Sequence, residues 1–466
     1  MSITLNLPEA AQVVSGTPLG KDVVFTGVST DSRTVTAGEL FIALRGDKFD
    51  GHDFIATAHE RGAVAAMVDT AGVASLHGTN TPLIVVENTR LALGALAANW
   101  RARFALPVIA VTGSNGKTTN KEMIASILRE MFAPEAVLAT KGNLNNDIGL
   151  PLTLLTLNAS HRTAVVEMGM NHPGEIAYLA GIGRPTVALV TNAQRAHLAG
   201  MGSMENVAAE KGSLFSALNQ SGIAIFCATD SWTSLWRNQS SHCRHLCFAL
   251  GDSGEADVDV SGQCHTRGLD NILTLDYRGE KIEVTLALPG RHNARNALGA
   301  AAAALAAGVS LSAVRTGLQA FRGIKGRLQR RDAQNGATLL DDTYNANPDS
   351  VCAAIDVLAA TVGKKIMVLG DMGEIGERTG QFHDEVGGYA KSQGIDQLLA
   401  LGEFSEVAVR NFGSGACHFK KVEDLIDTLS KALTAETTVL IKGSRFMGME
   451  RVADAIALRS EGDPPC

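Results

Sequence analysis

The order of apolar and polar positions predicts three regions in which strands and helices alternate. In the first, residues 1–87, the short apolar runs LFIAL, AVAAMVD and PLIVVE are separated by loops that contain glycine. This pattern is typical of a small α/β domain. The segment that follows, NTRLALGALAANWRARF, has apolar residues at helical spacing and predicts a connecting helix.

The second region, residues 88–311, contains the strand-like runs PVIAVTG, TAVVEMG, TVALVTN and GIAIFCA. Several of them are continuously apolar and rich in β-branched residues, as in parallel strands that helices cover on both faces. The segment NILTLDYRGEKIEVTLAL predicts a hairpin that turns at Arg278 and Gly279. A mostly parallel central sheet is therefore expected.

The third region, residues 312–466, repeats the alternation with GATLLDD, KKIMVLGD, QLLALG and TTVLIKGS, each followed by a helical segment. This order predicts a Rossmann-like doubly wound sheet, on which ligands bind beyond the carboxyl ends of the strands. DDTYN, GDMGE and KGSR lie at those ends. The tail RSEGDPPC is predicted to be loose. The chain is thus expected to be an α/β protein of three domains.

Composition excludes several classes of protein. The net charge is -7 over 466 residues, so no general basic field favours nucleic acid. The N-terminus MSITLNLPEAAQ has no signal-peptide pattern. The uncharged run at residues 296–314 is mostly alanine and glycine, which predicts a buried helix rather than a membrane span. A soluble cytoplasmic protein is expected.

The cysteines also bear on the class of protein. There are seven, without a framework spacing, and they fit reduced thiols in a cytoplasm. The cluster HCRHLC contains His242, Cys243, His245 and Cys247, a set that could suggest zinc. A second ligand pair at a standard spacing is missing from the sequence. We therefore favour a strand that carries cysteines.

The stretch VTGSNGKTTNKEMIASIL, residues 111–128, follows a predicted strand and opens a predicted helix. Two residues separate Gly113 from Gly116, whereas the general phosphate loop has four at this place. Backbone N–H groups of such a turn form an anion cradle at the helix N-terminus. Lys117 would reach the terminal phosphates and Thr118 would offer its hydroxyl to Mg²⁺. A simple glycine turn with an exposed lysine is the alternative, which the combined pattern disfavours.

Other polar residues occur where strands end or helices begin. Glu167 ends the run TAVVE, where a carboxylate could hold magnesium, although glutamates are common at strand ends. A lone histidine or lysine such as His197 or Lys211 is normally a packing or surface residue. For Lys211, a surface pairing with Glu205 or Glu210 is the alternative to a functional role.

Three further motifs allow more than one interpretation. Asn293 and Asn296 in LPGRHNARNALGAAA could cap a helix or hydrogen-bond a purine edge. Arg327 in GRLQRR could neutralise phosphate during transfer. Asp341 in LLDDTYNANPDS could hold ribose or metal.

The motifs TGSNGKTT, GNLNND, EMGMNHPGEI, AHL, EKGSLF, GRHNARNA, GRL and DDTYNANP, in this order, resemble the Mur ligase family. The resemblance covers essentially the whole chain, including STDSR and ALRGDKFDGHDF near the N-terminus. Members are ATP-dependent amide ligases that assemble the peptide stem of bacterial peptidoglycan. Their three domains bind a UDP-sugar, ATP and an acceptor, and their loop has the short glycine spacing. The resemblance implies these domains for residues 1–87, 88–311 and 312–466, the last also binding part of ATP.

Within the family, GNLNNDIG, EMGMNHPGEI and DDTYNANPDS resemble members that add D-alanyl-D-alanine to UDP-N-acetylmuramoyl-tripeptide through an acyl phosphate. Another Mur-type or folylpolyglutamate-like ligase with a single amino-acid acceptor is the alternative. A binding module without ligase chemistry is disfavoured by the motifs beyond the loop. The chain departs from the family pattern at Gln194 and Arg195, where small residues are usual, and at Ala199, where an acid is common.

The resemblance implies roles for individual residues of this chain. The catalytic residues would be Lys117, Lys211, His197 and Arg327. ATP would contact Thr112, Gly113, Ser114, Asn115, Gly116, Lys117, Thr118, Thr119, Asn293, Asn296, Arg327 and Asp341. The UDP-sugar-peptide and the dipeptide would contact Asp31, Ser32, Arg33, Asn143, Asn145, Asn146, Asp342, Tyr344, Asn345 and Asn347.

The resemblance also implies metal ions and a modified lysine. One Mg²⁺ would be held by Thr118 and Glu167, and a second by His197 and Lys211. Lys211 would carry a carbamate derived from CO₂, because an ammonium has no lone pair to donate to a metal. The enzyme is expected to be a monomer.

Overall fold

The computed structural model describes residues 3–73, 80–251 and 257–458. They form three α/β regions, each built around its own main sheet. The predicted α/β class is therefore confirmed. The tail RSEGDPPC, predicted to be loose, lies outside the described residues.

The N-terminal region contains a five-stranded sheet in the order β2-β9-β8-β5-β4. Only the edge pair β2–β9 is antiparallel. The elements of the region are β1 Leu5–Asn6, α1 Leu7–Val13, β2 Thr17–Leu19, β3 Val24–Phe25, β4 Val28–Ser29, β5 Leu40–Ile42, β6 Arg45–Gly46, β7 Phe49–Asp50, α2 Ile55–Glu60, β8 Ala65–Asp69, α3 Thr70–Val73 and β9 Leu83–Val86, with a 3-10 helix at Gly51–Phe54.

The central region contains a nine-stranded sheet in the order β11-β12-β10-β13-β14-β15-β16-β17-β18. Its strands run parallel from β11 to β16. The strands are β10 Val108–Thr112, β11 Val137–Ala139, β12 Thr163–Glu167, β13 Val187–Val190, β14 Ile223–Cys227, β15 Arg244–Leu250, β16 Val260–Arg267, β17 Asp270–Tyr277 and β18 Glu280–Leu286. The helices are α4 Thr89–Arg101, α5 Lys117–Arg129, α6 Gly149–Leu154, α7 Glu175–Gly183, α8 Leu198–Met201, α9 Met204–Ser216, α10 Thr233–Gln239, α11 Arg291–Ala306 and α12 Leu311–Ala320, with a 3-10 helix at Pro134–Ala136.

Two local predictions in this region are confirmed. Strands β17 and β18 form an antiparallel hairpin that turns at Arg278 and Gly279. Both residues have positive φ, 56° and 86°, as the tightest hairpin turns require. The segment HCRHLC leads into the buried strand β15, which pairs in parallel with β14 and β16. Among the described residues, no group of three or more His, Cys, Asp or Glu side chains is placed to hold a metal.

The C-terminal region contains a six-stranded sheet in the order β19-β20-β24-β21-β22-β23, parallel except at the edge pair β19–β20. This is the doubly wound arrangement that the sequence predicts. Its elements are β19 Gln329–Asp332, β20 Thr338–Asp342, α13 Pro348–Ala359, β21 Lys364–Gly370, α14 Thr379–Ser392, β22 Gln397–Leu401, α15 Ser405–Phe412, β23 Ala416–Phe419, α16 Val422–Ala432, β24 Thr437–Lys442 and α17 Glu450–Ile456, with 3-10 helices at Gln334–Gly336 and Arg445–Met447.

Helix packing refines the limits of the central domain. The buried residues Val314 and Leu318 of α12 belong to the same apolar cluster as α5 and α11, and Phe321 closes that cluster. We therefore propose a boundary after Phe321, later than the residue 312 expected from sequence. The uncharged run 296–314 is split between α11 and α12, and α11 is buried over most of its length. In the described part of the chain, no helix has the length and apolar character needed to cross a membrane.

Candidate active site

A cavity of about 820 Å³ lies where the central and C-terminal sheets face each other. This volume is within the usual range for small-molecule sites. Its wall contains residues that end parallel strands or follow them within three positions, as expected for ligand sites on open α/β sheets. From the central sheet these are Ser114, Glu167 and Asn192, and from the C-terminal sheet Asp342, Gly373 and Lys442.

The glycine-rich turn between β10 and α5 forms one end of the cavity. Gly113 and Gly116 have φ of 150° and 80°, values that favour glycine. A Cβ on Gly113 would lie 1.8 Å from Oγ1 of Thr191, and one on Gly116 would lie 2.4 Å from Oδ1 of Asn296. No described side chain caps α5, so its first N–H groups point into the turn as an anion cradle.

Lys117 is the first residue of α5 and lines the cavity. Its Nζ donates to the carbonyl oxygens of Gly113 at 2.6 Å and Ser114 at 3.2 Å. Burial lowers the pKa of Lys117, and the nearby Glu167 carboxylate opposes that change. The ammonium is therefore placed within the anion cradle, where a phosphate would take over its hydrogen bonds.

Glu167 ends β12 and is buried. Its Oε1 accepts a hydrogen bond of 2.8 Å from Nδ2 of Asn145, and its backbone N–H donates to Oγ1 of Thr140. Its buried Oε2 has no hydrogen-bond partner among the described residues. Buried carboxylate oxygens are normally paired. With the Thr118 hydroxyl in the same cavity, this oxygen fits a hard cation such as Mg²⁺.

His197 and Lys211 approach the same end of the cavity. His197 lines it with a positive φ of 58°, and its Nδ1 lies 3.3 Å from Oε2 of Glu374. Burial lowers the pKa of His197, and the charges of Lys117 and Lys211 lower it further.

Lys211 is fully enclosed within α9, with 1% of its surface exposed, and it does not line the cavity. Burial, together with the charge of Lys117, holds the pKa of Lys211 well below its usual value. The surface pairing considered for Lys211 does not occur. Glu210 instead accepts hydrogen bonds from the backbone of Gly174 and Ile176.

Asparagine side chains form a network beneath the glycine-rich turn. Nδ2 of Asn120 donates to Oδ1 of Asn296 at 3.0 Å, and Nδ2 of Asn296 donates to Oδ1 of Asn293 at 3.2 Å. Helix α11 begins after Gly290 with no cap from a described side chain. Helix capping, one of the two roles considered for Asn293 and Asn296, is therefore not what they do.

The C-terminal domain contributes charged and aromatic groups to the opposite wall. Nζ of Lys442 lies 2.6 Å from Oδ2 of Asp342 and donates to the carbonyl of Asn345 at 2.8 Å. The Arg327 guanidinium stacks over the Tyr344 ring at 4.1 Å. These five residues of the C-terminal domain all line the cavity.

Most of the residues expected from sequence meet in this cavity. From the central domain these are Ser114, Asn115, Gly116, Lys117, Thr118, Thr119, Asn143, Asn145, Asn146, Glu167, His197, Asn293 and Asn296, and from the C-terminal domain Arg327, Asp342, Tyr344, Asn345 and Asn347. Thr112 and Gly113 lie just behind the wall, at the end of β10 and in the turn.

Asp341 is not brought to the cavity. It is fully buried, and its carboxylate accepts hydrogen bonds from Arg331 at 3.1 Å and from the Thr343 hydroxyl at 2.7 Å. Successive side chains of a strand point to opposite faces, so the cavity receives Asp342 instead. Sequence alone does not tell which of two adjacent aspartates faces a ligand.

Asp31, Ser32 and Arg33 also lie outside the cavity, in the N-terminal domain. The Asp31 carboxylate and the Arg33 guanidinium form an ion pair of 2.7 Å. This hydrogen-bonded guanidinium lowers the pKa of Asp31 to about 2. Both side chains are more than one third exposed, and they remain available to an external ligand.

Sequence reasoning missed several residues of the cavity wall: Arg90, Asp147, Tyr178, Arg295 and Asp349. Arg90 pairs with Asp147, and Arg295 pairs with Asp230 at 2.9 Å. Nothing in the local sequence separates the first four of these residues from ordinary surface residues. Asp349 could have been identified from the sequence, because an acidic residue in the first turn of a helix, two residues after its asparagine N-cap, is a recognisable pattern.

Models of three protein-family domains match the chain. The Mur ligase family catalytic domain matches residues 24–101, the Mur ligase middle domain matches residues 111–304, and the Mur ligase glutamate ligase domain matches residues 326–445.

Named relatives and solved structures are similar over nearly the full length. The UDP-N-acetylmuramoyl-tripeptide–D-alanyl-D-alanine ligase of Escherichia coli (strain K12) is 40% identical over 97% of this chain and 98% of its own. The enzyme of that name from Haemophilus influenzae is 38% identical, with the same two coverages. A crystal structure of MurF from Acinetobacter baumannii superposes with a TM-score of 0.90 at 34% identity, covering 97% of this chain and 99% of that one. MurF ligase from Thermotoga maritima in complex with ADP gives a TM-score of 0.81 at 26% identity, with coverages of 92% and 96%.

Proposed function

The chain belongs to the Mur ligase family, and we propose that it joins D-alanyl-D-alanine to UDP-N-acetylmuramoyl-tripeptide with consumption of ATP. The product is UDP-N-acetylmuramoyl-pentapeptide, a precursor of peptidoglycan. The observation that carries the proposal is that the anion cradle, Lys117 and Glu167 share one cavity with Asp342 and Lys442 of the C-terminal domain.

The reaction has two steps. A carboxylate oxygen of the tripeptide attacks the γ-phosphorus of ATP, so that ADP leaves and an acyl phosphate forms. The amine of D-alanyl-D-alanine then attacks the acyl carbon, phosphate leaves, and the nitrogen loses a proton. Positioning and charge neutralisation provide most of the catalysis in phosphoryl transfer. Lys117 and the N–H groups at the start of α5 are placed to supply both.

The binding roles of the remaining residues are part of the proposal. Asn293, Asn296 and Arg327 would hold ATP between the central and C-terminal domains. Asn143, Asn145 and Asn146 would contact the sugar-peptide, and Tyr344, Asn345 and Asn347 the dipeptide. All of these residues lie in the cavity wall, which supports a single site at which the three substrates meet. Asp31, Ser32 and Arg33 would bind the uridine nucleotide on the exposed face of the N-terminal domain.

Magnesium fits the residues present. Thr118 and Glu167 would hold one ion, since the unpaired Oε2 of Glu167 is the hard oxygen ligand that Mg²⁺ prefers. The ion neutralises phosphate charge when bound. His197 and Lys211 would hold a second ion, provided that Lys211 is carbamylated.

The burial of Lys211 supports that modification. A neutral amine is the form that adds CO₂, and burial favours the neutral form. The carbamate would place a negative charge beside Lys117 and supply oxygen ligands. We propose that the enzyme acts in the cytoplasm, a location with which the free cysteines of the described residues agree, and that it acts as a monomer.

The test of the proposed function is an ADP-release assay with ATP, Mg²⁺ and UDP-N-acetylmuramoyl-tripeptide. We expect release to require D-alanyl-D-alanine and to be much weaker with single amino acids. Equal release with a single amino acid would favour the other ligase types. Equal release with no acceptor would show that the chain is not a coupled ligase.

A further inference from the structure

Arg195 of the central domain forms a compact set of polar contacts with two helices of the C-terminal domain. Its Nε and Nη2 donate to Oδ1 of Asp349 at 2.9 and 2.7 Å, and its backbone N–H donates to Oδ2 at 2.7 Å. Its Nη1 donates to both oxygens of Glu385, at 3.0 and 2.8 Å. The guanidinium also lies over the Phe382 ring at 5.3 Å. The side chain is three-quarters buried, with 25% exposed.

The segment before Arg195 is bonded to the glycine-rich turn. Ser114 donates through its backbone N–H to the carbonyl of Asn192 at 3.0 Å. Its hydroxyl donates to the carbonyl of Gln194 at 3.0 Å and accepts from the backbone N–H of Gln194 at 2.9 Å. The strained residue His197 follows two positions later. A displacement of Arg195 would therefore also displace Gln194, which is hydrogen-bonded to Ser114 of the phosphate cradle, and the nearby His197.

The partner side is linked to the same cradle. Asp349 lies in the first turn of α13, whose N-cap is Asn347. Nδ2 of Asn347 donates to Oδ1 of Asn115 at 2.8 Å. Arg195 and Asn115 therefore hold the first turn of α13 at two points, both on the cavity side of the domain boundary.

We propose that Arg195 is a positioning residue that holds the central and C-terminal domains in the arrangement in which ATP and the acceptor meet. This inference rests on the proposed function. Arg195 does not line the cavity, and two carboxylates occupy its guanidinium, so it is not a phosphate ligand. Hydrogen bonds between a guanidinium and a carboxylate are assisted by both charges and are among the stronger polar contacts in proteins. This pair can form only when the two domains are together, so it stabilises the closed form selectively.

The predicted signature is a change in KM with little change in kcat. When only a fraction of the enzyme is in the closed form, the apparent Kd for substrate equals the intrinsic Kd divided by that fraction. Saturating substrate then brings the whole population into the closed form. We expect Arg195→Ala to raise the KM for ATP and for D-alanyl-D-alanine together, on the order of tenfold. Asp349→Ala should do the same. The effect of the double variant should be smaller than the sum of the two single effects, because both substitutions break the side-chain pair between Arg195 and Asp349.

Arg244→Ala is the matched control, since Arg244 is an exposed arginine at the start of β15 in the same domain. It should leave both KM values unchanged. The exchanged pair Arg195→Asp with Asp349→Arg should recover part of the loss. Small-angle scattering of the enzymes without substrates should show a more extended Arg195→Ala enzyme than wild type, because no ligand is then present to restore the closed form.

These experiments distinguish a failure of the proposed ligase function from a failure of the proposed role of Arg195. If wild type releases no ADP with any acceptor, the ligase proposal fails, while the scattering comparison still tests the inter-domain contact. If wild type is an active ligase, additive effects of the two single substitutions would overturn the role of Arg195. A kcat loss at unchanged KM, or scattering identical to wild type, would overturn it as well.

Discussion

Nδ2 of Asn145 donates a hydrogen bond of 2.8 Å to Oε1 of Glu167 and leaves Oε2 with no partner among the described residues. The amide thus fixes the orientation of a buried carboxylate whose free oxygen can serve a cation. Groups that orient a metal ligand in this way are commonly worth tenfold to a hundredfold in metal affinity.

We therefore expect Asn145→Ala to raise the Mg²⁺ concentration for half-maximal activity by about tenfold or more. Glu167→Gln should raise it further, because the ligand itself loses its charge. Mg²⁺ titration at saturating substrates, with Mn²⁺ binding as a second readout, measures both. Asn238→Ala, at an exposed position of α10, is the control. Unchanged metal dependence in Glu167→Gln would remove Glu167 from the metal site.

Lys117→Ala should reduce turnover on the order of a hundredfold or more, because in the proposed mechanism the ammonium would contact the transferring phosphoryl group most closely in the transition state. Steady-state kinetics with all three substrates at saturation measure the effect. Lys420→Ala replaces an exposed lysine of the C-terminal domain and should behave as wild type. A Lys117→Ala enzyme within a few-fold of wild type would show that the turn after β10 is not the catalytic cradle.

Asp69 provides a pH-dependent contribution to the stability of the N-terminal domain. Hydrogen bonds from the Arg45 side chain lower its pKa from 3.8 to about 2. A carboxyl group whose pKa is lower in the folded than in the unfolded state stabilises the fold at pH values above the unfolded-state pKa. This contribution is lost as the pH falls from about 3.8 to about 2. Allowing for solvent screening at the half-exposed Arg45, it amounts to about 1 to 2 kcal/mol.

Asp69→Asn should accordingly lower the unfolding free energy near neutral pH, and the difference from wild type should shrink below about pH 4. Urea denaturation at a series of pH values measures it. Asp47→Asn, at an exposed position, should show no such dependence. A difference between Asp69→Asn and wild type that stays constant with pH would contradict the assignment.

Much of the fold could be predicted from the sequence because apolar runs and glycine-containing turns are local patterns. The strands of the central and C-terminal sheets coincide with continuous apolar runs, which only burial on both faces can satisfy. The hairpin turn at Arg278 and Gly279 needs two residues with positive φ, and the glycine marks it. Gly113 and Gly116 likewise predict the turn that forms the anion cradle before α5.

The contacts that the sequence did not predict join distant residues. Arg195 and Asp349 are separated by 154 positions, and no local pattern pairs them. The choice of Asp342 over Asp341 depends on which face of β20 meets the cavity, a matter of tertiary packing. The boundary that we propose after Phe321 rests on the packing of α12 with α5 and α11, which no local pattern in the sequence reveals.

Lys211 provides the most specific chemical prediction. As an ammonium, this buried group would carry the same sign of charge as Lys117 and Mg²⁺, and its lowered pKa means that the neutral amine persists to lower pH than in an exposed lysine. The amine can then add CO₂, and the resulting carbamate would supply oxygens to the ion that His197 approaches. We expect Lys211→Ala to lose most activity and to recover part of it with added formate or acetate, because a free carboxylate can occupy the vacated space. Lys117→Ala, which lacks such a space beside His197, should not respond to these acids. Near-normal activity of Lys211→Ala without any added acid would rule out the carbamate, as would an unmodified amine in the active enzyme grown with bicarbonate.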